Sequence, residues 1–259
     1  MKFGMPTLIE TKNIDECVTL CKHLNLDFIE LNMNMPEYQI SQIEVNKIIE
    51  IHQNENIFFT IHLDENLNVA DFNPLVARAY METVKSTIQL AKQIGALILN
   101  MHMSEGVYFT LPDEKVYLFE YYQDAYIKRL SEFRDMCENE IGQENIKICI
   151  ENTDGYKEFS KKGIEFLLES PVFALTYDVG HDHCNGYKDE EFIRKHIKRL
   201  VHIHLHDALE KKNHLPLGEG NVNIHEMLNL AKERNCNVVL ETKTIKGLIQ
   251  SVDKLSICD

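Results

Sequence analysis

No stretch of this chain approaches the roughly 20 consecutive apolar residues that a membrane-spanning helix needs. Its first residues, Met1–Pro6, lack the apolar core of a signal peptide and read directly as a strand, so a cytoplasmic location is expected. Basic residues are in deficit: 27 Lys and Arg face 41 Asp and Glu, a formal net charge of −14. That balance works against non-specific attraction to nucleic acid or anionic membrane, and neither is expected as a partner. No glycine-rich phosphate turn follows the first strand-like run, which argues against a doubly wound sheet. The seven cysteines, at 17, 21, 137, 149, 184, 236 and 258, have neither zinc-knuckle nor redox spacing and are read as buried, reduced thiols. Cys184 is noted because it follows the segment Asp178–His183. With no low-complexity tract, linker or break in composition, residues 1–259 are read as one domain.

What is present is an alternation of short apolar runs with amphipathic segments. Strands are expected at Lys2–Met5, Asp27–Asn32, Ile57–His62, Leu97–His102, Ile146–Glu151, Phe173–Asp178, Leu200–Leu205 and Asn237–Glu241. Their density of Ile, Leu, Val and Phe suits strands buried on both faces of a parallel sheet. Helical spacing runs from Pro74 to a C-cap at Gly95 and over Asp113–Glu140. Shorter helices fit 14–24, 40–53, 160–169, 189–198, 224–234 and 245–255. Eight strands alternating with eight helices predict an α/β fold, a single (β/α)8 TIM barrel.

Six of these strands end in a metal-friendly side chain: His62, His102, Glu151, Asp178, His204 and Glu241. A parallel barrel gathers its strand ends on one face, which turns scattered ligands into a cluster suited to one or two divalent ions. Glu151 precedes a polar, Gly-containing loop. Asp178 is followed by Gly180, taken to permit a bend, and by His181; the alternative for Asp178 is a helix N-cap. In Val201–Asp207 three histidines alternate, so they share one side of the strand. His204 is taken as the ligand, His202 as a hydrogen-bonded histidine of the interior, and His206 and Asp207 as loop residues. His62 and His102 are either lone core histidines or a second metal position offered at one level. Glu30, on the second strand, either contacts substrate or is a buried ion-pair partner. The aromatic group Tyr108, Phe109, Tyr117, Phe119, Tyr121 and Tyr122 either walls the pocket or packs a helix or an oligomer interface.

In their order along the chain, Cys149–Thr153, Asp178–His181, His204–Asp207, the loop His214–Gly220 and Glu241 resemble the endonuclease IV / xylose isomerase-like superfamily. The likeness runs from about His62 to Glu241. For sugar isomerases and epimerases of the tagatose 3-epimerase type it implies one divalent ion, zinc or manganese, on Glu151, Asp178, His204 and Glu241. Glu151 and Glu241 would be the acid–base pair, exchanging a carbon-bound proton through a metal-bound enediolate, with His181 orienting a substrate hydroxyl. For endonuclease IV it implies further ions at positions matching His62, His102 and His181 and at an Asp-x-His pair. There this chain has Lys212, Asn213 and His214. A lysine repels a cation but accepts a substrate anion, so Lys212 and His214 are expected on the substrate side.

The reading that follows is a metal-dependent isomerase or epimerase acting on a small carbohydrate, a sugar or sugar phosphate. The alternative is a di-metal phosphodiesterase or other hydrolase not specialised for DNA; a catalytically silent binding protein on the same barrel is the third. Whether the chain forms a homo-oligomer stays open.

Overall fold

In the computed structural model, which describes residues 1–258, eight parallel strands close into a barrel in sequence order. They are β1 (Lys2–Pro6), β2 (Phe28–Asn32), β3 (Phe58–His62), β4 (Ile98–His102), β5 (Lys147–Glu151), β6 (Phe173–Asp178), β7 (Leu200–Leu205) and β8 (Asn237–Leu240). β1 pairs with both β2 and β8, so no edge is left open. Most of the expected runs lose only a residue at an end. Glu241 lies one residue beyond β8, and His204 lies one residue before the end of β7.

Apart from an irregularity in β7, where the pairing with β6 shifts between Leu175 and Thr176, the strands alternate, because successive side chains of a strand point to opposite faces. Ile29, Leu31, Phe59, Ile61, Leu99, Met101, Ile148, Ile150, Leu175, Ile203, Leu205, Val238 and Leu240 belong to one continuous apolar core. That core includes Val84, Ile88, Leu130, Phe133, Ile164 and Leu248 from the surrounding helices, so it lies between barrel and helices. The opposite faces carry Glu30, Thr60, Asn100, Thr176, His202 and His204, all buried in the barrel interior. Val239 of β8 is buried higher up, but apolar filling of the interior is concentrated at its lower end. There Ile98, Cys149 and Ala174 form a separate small cluster, and Phe28 stacks on Phe58. A Cβ on Gly4 would run into the Phe28 ring, so this glycine makes the plug fit.

Three sequence expectations change. Residues 113–117, expected as the start of the helix Asp113–Glu140, do not join it: Tyr108–Thr110 forms a hairpin with Lys115–Tyr117, and the long helix begins only at Gln123. Gly180 does not relieve a bend. It is the second residue of the short helix Val179–Cys184, and a side chain there would overlap the His206 ring. His206 lies beyond the end of β7, as expected, whereas Asp207 is a strand residue rather than a loop residue. Both are buried, and Asp207 opens a second hairpin, Asp207–Leu209 with Lys212–Leu215. Among the thiols, Cys17, Cys21, Cys137, Cys149 and Cys236 are buried and Cys184 is partly buried; the side chain of Cys258 lies outside the described residues. No described helix is long and apolar enough to cross a membrane.

Asp207 ties down the loop over the barrel mouth. Its carboxylate accepts the N–H groups of Ala208 (2.9 Å), Gly218 (2.8 Å) and Val222 (3.0 Å). Gly220 is required beside it, since a Cβ there would overlap the Ala208 carbonyl. Removing a buried charged acceptor leaves three amides unpaired, so Asp207→Ala is expected to destabilise the protein by about 3 kcal/mol. Urea unfolding measures this, and a loss below about 1 kcal/mol would show that the loop is held by other means.

Candidate metal centre

Strand register sets the height of each side chain at the C-terminal mouth. Glu151 pairs with Thr176 and with His102, and Asp178 pairs with His204. His62 pairs with Asn100 rather than with His102, so the two histidines are not level as expected; His102 stands further out. His62 is buried and His102 is 21% exposed.

Glu151, Asp178, His204 and Glu241, all buried, each present a ligand atom within 4.8 Å of the others. His204 Nδ1 is 3.1 Å from Glu151 Oε1 and 3.2 Å from Glu241 Oε2. Glu241 Oε2 is buried and has no hydrogen-bond partner, which is costly unless a cation completes it. Three carboxylates and one imidazole around one point are a donor set that suits a divalent zinc or manganese ion. The residues present therefore fit such an ion.

Neighbouring side chains hold these four in place. Asn152 clamps β5 to the end of β6, accepting from the Asp178 N–H and donating to the Asp178 carbonyl, both at 2.8 Å. Asp178 Oδ1 also caps the helix Val179–Cys184 by accepting the His181 N–H at 2.7 Å, so the N-cap role and the site position coexist. The His214 N–H donates to His206 Nδ1 at 2.8 Å, which leaves the ring proton on Nε2 to face Asp178 Oδ1 at 3.0 Å. Asn100 donates to Glu151 Oε2. Glu30 lies inside the barrel and away from the mouth. It accepts from Thr60 at 2.8 Å, bonds His202 Nε2 at 2.9 Å, and lies 2.9 Å from His204 Nε2. The Glu30 carboxylate thus lies behind the His204 ring, whose Nε2 is buried without a hydrogen-bond partner and whose Nδ1 faces the cluster.

The remaining candidates ring this centre. His62 donates its Nδ1–H to the Leu63 carbonyl at 2.8 Å, leaving Nε2 3.4 Å from Glu151 Oε2, and His102 Nε2 is 3.2 Å from the same oxygen. His181 and His214 stand with ring centroids 5.2 Å apart, and His206 joins them as a third nearby group of ligand atoms. Both nitrogens of His206 are already engaged, so that group offers two free imidazoles rather than three. His214 holds a left-handed backbone (φ 54°) and donates Nδ1–H to the Glu241 carbonyl at 3.0 Å. Burial lowers it to about 4, so it stays neutral. Lys212 is exposed on its hairpin, while Asn213 reaches His181 Nε2 at 3.4 Å. Asn100, Asn152, His206 and Lys243 were not anticipated as parts of the site. Only the polar run after Glu151 hinted at Asn152.

Burial penalises every charged form here; it prevails at His202 and His214, whereas opposite charges prevail at Glu151, Glu241, His62 and His204. Against burial, His204 and His102 hold Glu151 well below the usual carboxylate range, and His204 and Lys243 do the same for Glu241. Burial works against the His62 cation too, but Glu151 pushes His62 up to about 9. Glu151 and Glu241 likewise raise His204. Metal ligation requires a neutral imidazole, so binding displaces these protons. Metal affinity is therefore expected to rise with pH through neutrality as the raised His204 gives up its proton. Calorimetry in buffers of different ionisation enthalpy reads the released protons, and pH-independent binding without release would contradict it. Glu30→Gln is expected to weaken metal binding by about 10- to 100-fold by chelator competition, as loss of an orienting partner does. Unchanged affinity would remove Glu30 from the centre.

Residues 18–256 match the xylose isomerase-like TIM-barrel family. The uncharacterized protein MJ1614 of Methanocaldococcus jannaschii is 25% identical, with 100% of this chain and 96% of that protein covered. Among solved structures, a D-tagatose 3-epimerase-like protein superposes with a TM-score of 0.79 at 22% identity, covering 100% of this chain and 97% of the other. The IolI protein, solved with a bound zinc atom, gives a TM-score of 0.75 at 18% identity, covering 99% and 97%. At such identities these structures establish likeness of fold.

Proposed function

This chain belongs to the xylose isomerase-like TIM-barrel family, and from that premise we propose that it is a metal-dependent isomerase or epimerase of a sugar or sugar phosphate. The observation that carries the reading is the buried set Glu151, Asp178, His204 and Glu241, in which two glutamates flank one ion position. A divalent ion held there supplies Lewis-acid polarisation of a carbonyl and its neighbouring hydroxyl. Glu151 and Glu241 approach His204 Nδ1 from two strands, at 3.1 and 3.2 Å, so they can address a bound carbon from different sides. One takes the proton α to the carbonyl and the other returns it. His181 and His214 present their imidazoles beside the site and orient hydroxyl groups of the substrate. The epimerase-like neighbour and the zinc-bearing neighbour both favour this chemistry.

A second reading has its own observation. His62 and His102 converge on Glu151 Oε2 at 3.4 and 3.2 Å, leaving that carboxylate shared between two groups of ligands. Two ions sharing Glu151 would suit a hydrolase. Incubation with candidate sugars and sugar phosphates in deuterated water separates the two. Isomerisation by the glutamate pair incorporates solvent deuterium at the reacting carbon, and Glu151→Gln or Glu241→Gln is expected to slow this by about 10²- to 10⁴-fold. Metal-dependent turnover without deuterium uptake, with two ions bound per chain, would replace the isomerase reading by the hydrolase.

A further inference from the structure

We infer that the recess between the segments following β1, β2 and β8 is an anion subsite built on Lys243, and that the substrate carries a phosphate or carboxylate group. This rests on the metal-dependent carbohydrate reading and narrows its substrate class.

Lys243 Nζ is 2.8 Å from Glu241 Oε1, and its side chain is 52% exposed. The other oxygen of that carboxylate, Oε2, is the buried, unpartnered atom directed at His204 Nδ1. Lys243 thus stands one carboxylate away from the ion position, on its more exposed side. An ammonium group has three donors. Glu241 uses one, and no other acceptor among the described residues takes the remaining two.

Lys243 lines a cavity of about 160 Å³, walled otherwise by Pro6–Ile9, Asn32 and Met35. Among the described residues no carboxylate lines it, although the mouth next to it is crowded with them. The amides of Leu8 and Ile9 in its wall donate to no acceptor among the described residues. In a chain of net charge −14, a recess whose sole charged wall is a cation with free donors favours an anion. Lys212, expected to meet a distal anion, lines no part of it. A phosphate and a carboxylate share the chemistry this recess recognises, and the test separates them.

Zinc-loaded protein is titrated calorimetrically with inorganic phosphate and, separately, with acetate, at zinc concentrations that saturate each variant. One of the two anions is expected to bind. Lys243→Gln should weaken it by about tenfold or more, the scale of one charge-assisted contact, and Lys212→Gln by less than about twofold. Lys243→Arg, which keeps the charge, should retain binding. Phosphate binding assigns a phosphosugar, and acetate binding without phosphate assigns a sugar acid. If neither anion binds, or if Lys243→Gln binds as tightly as the unmodified protein, the subsite is refuted while the metal reading stands. Failure of the unmodified protein to bind zinc or manganese would instead overturn the metal reading.

Discussion

The arrangement depends on one electrostatic constraint: four acidic side chains, Glu30, Glu151, Asp178 and Glu241, are buried around the single ring of His204 and its neighbours. Like charges this close in a low-dielectric interior repel strongly. Burying any one of them without a partner is costly. Each has found compensation: Glu30 from His202, His204 and Thr60, Glu151 from His62, His102, His204 and Asn100, Asp178 from His206, and Glu241 from Lys243. Of these partners, the raised imidazoles of His62 and His204 are the positive charge that a divalent ion would displace. The geometry is thereby consistent with a cation position in front of His204, with the Glu30 carboxylate lying behind the ring.

This constraint reshapes the fold's stability. A barrel interior is ordinarily filled by branched apolar side chains. Here the interior is apolar mainly at its base, and its upper layers are largely polar. Apolar burial therefore comes from the shell between strands and helices, where Ile, Leu, Val and Phe of both pack in one continuous core. Mouth and shell are separable in this design. The strand faces turned outward secure the barrel, and those turned inward are free to carry chemistry.

Much of this was legible in the sequence because alternation and strand-end position are one-dimensional signals. A ligand-type residue closing an apolar run must lie at the mouth once the barrel closes, and Glu151, Asp178, His204 and Glu241 do come together. What was hidden depends on register and on loops. His102 stands above His62 because of pairing offsets that no spacing encodes. The hairpin at 108–117 carries Tyr, Phe and Val among charges, a composition that a helix flank also tolerates. Gly180 looked like a hinge, yet it clears space for a histidine 26 residues further on. Lys243 carried no motif, and its relation to Glu241 and to the loop after β1 exists only in three dimensions.

The most direct test of the central claim is a crystal structure grown with zinc or manganese, with the ion located by its anomalous scattering. One ion bonded to Glu151, Asp178, Glu241 and Nδ1 of His204 is the predicted result. An ion held instead by His181 and His214, or no ion at these four residues, would contradict it.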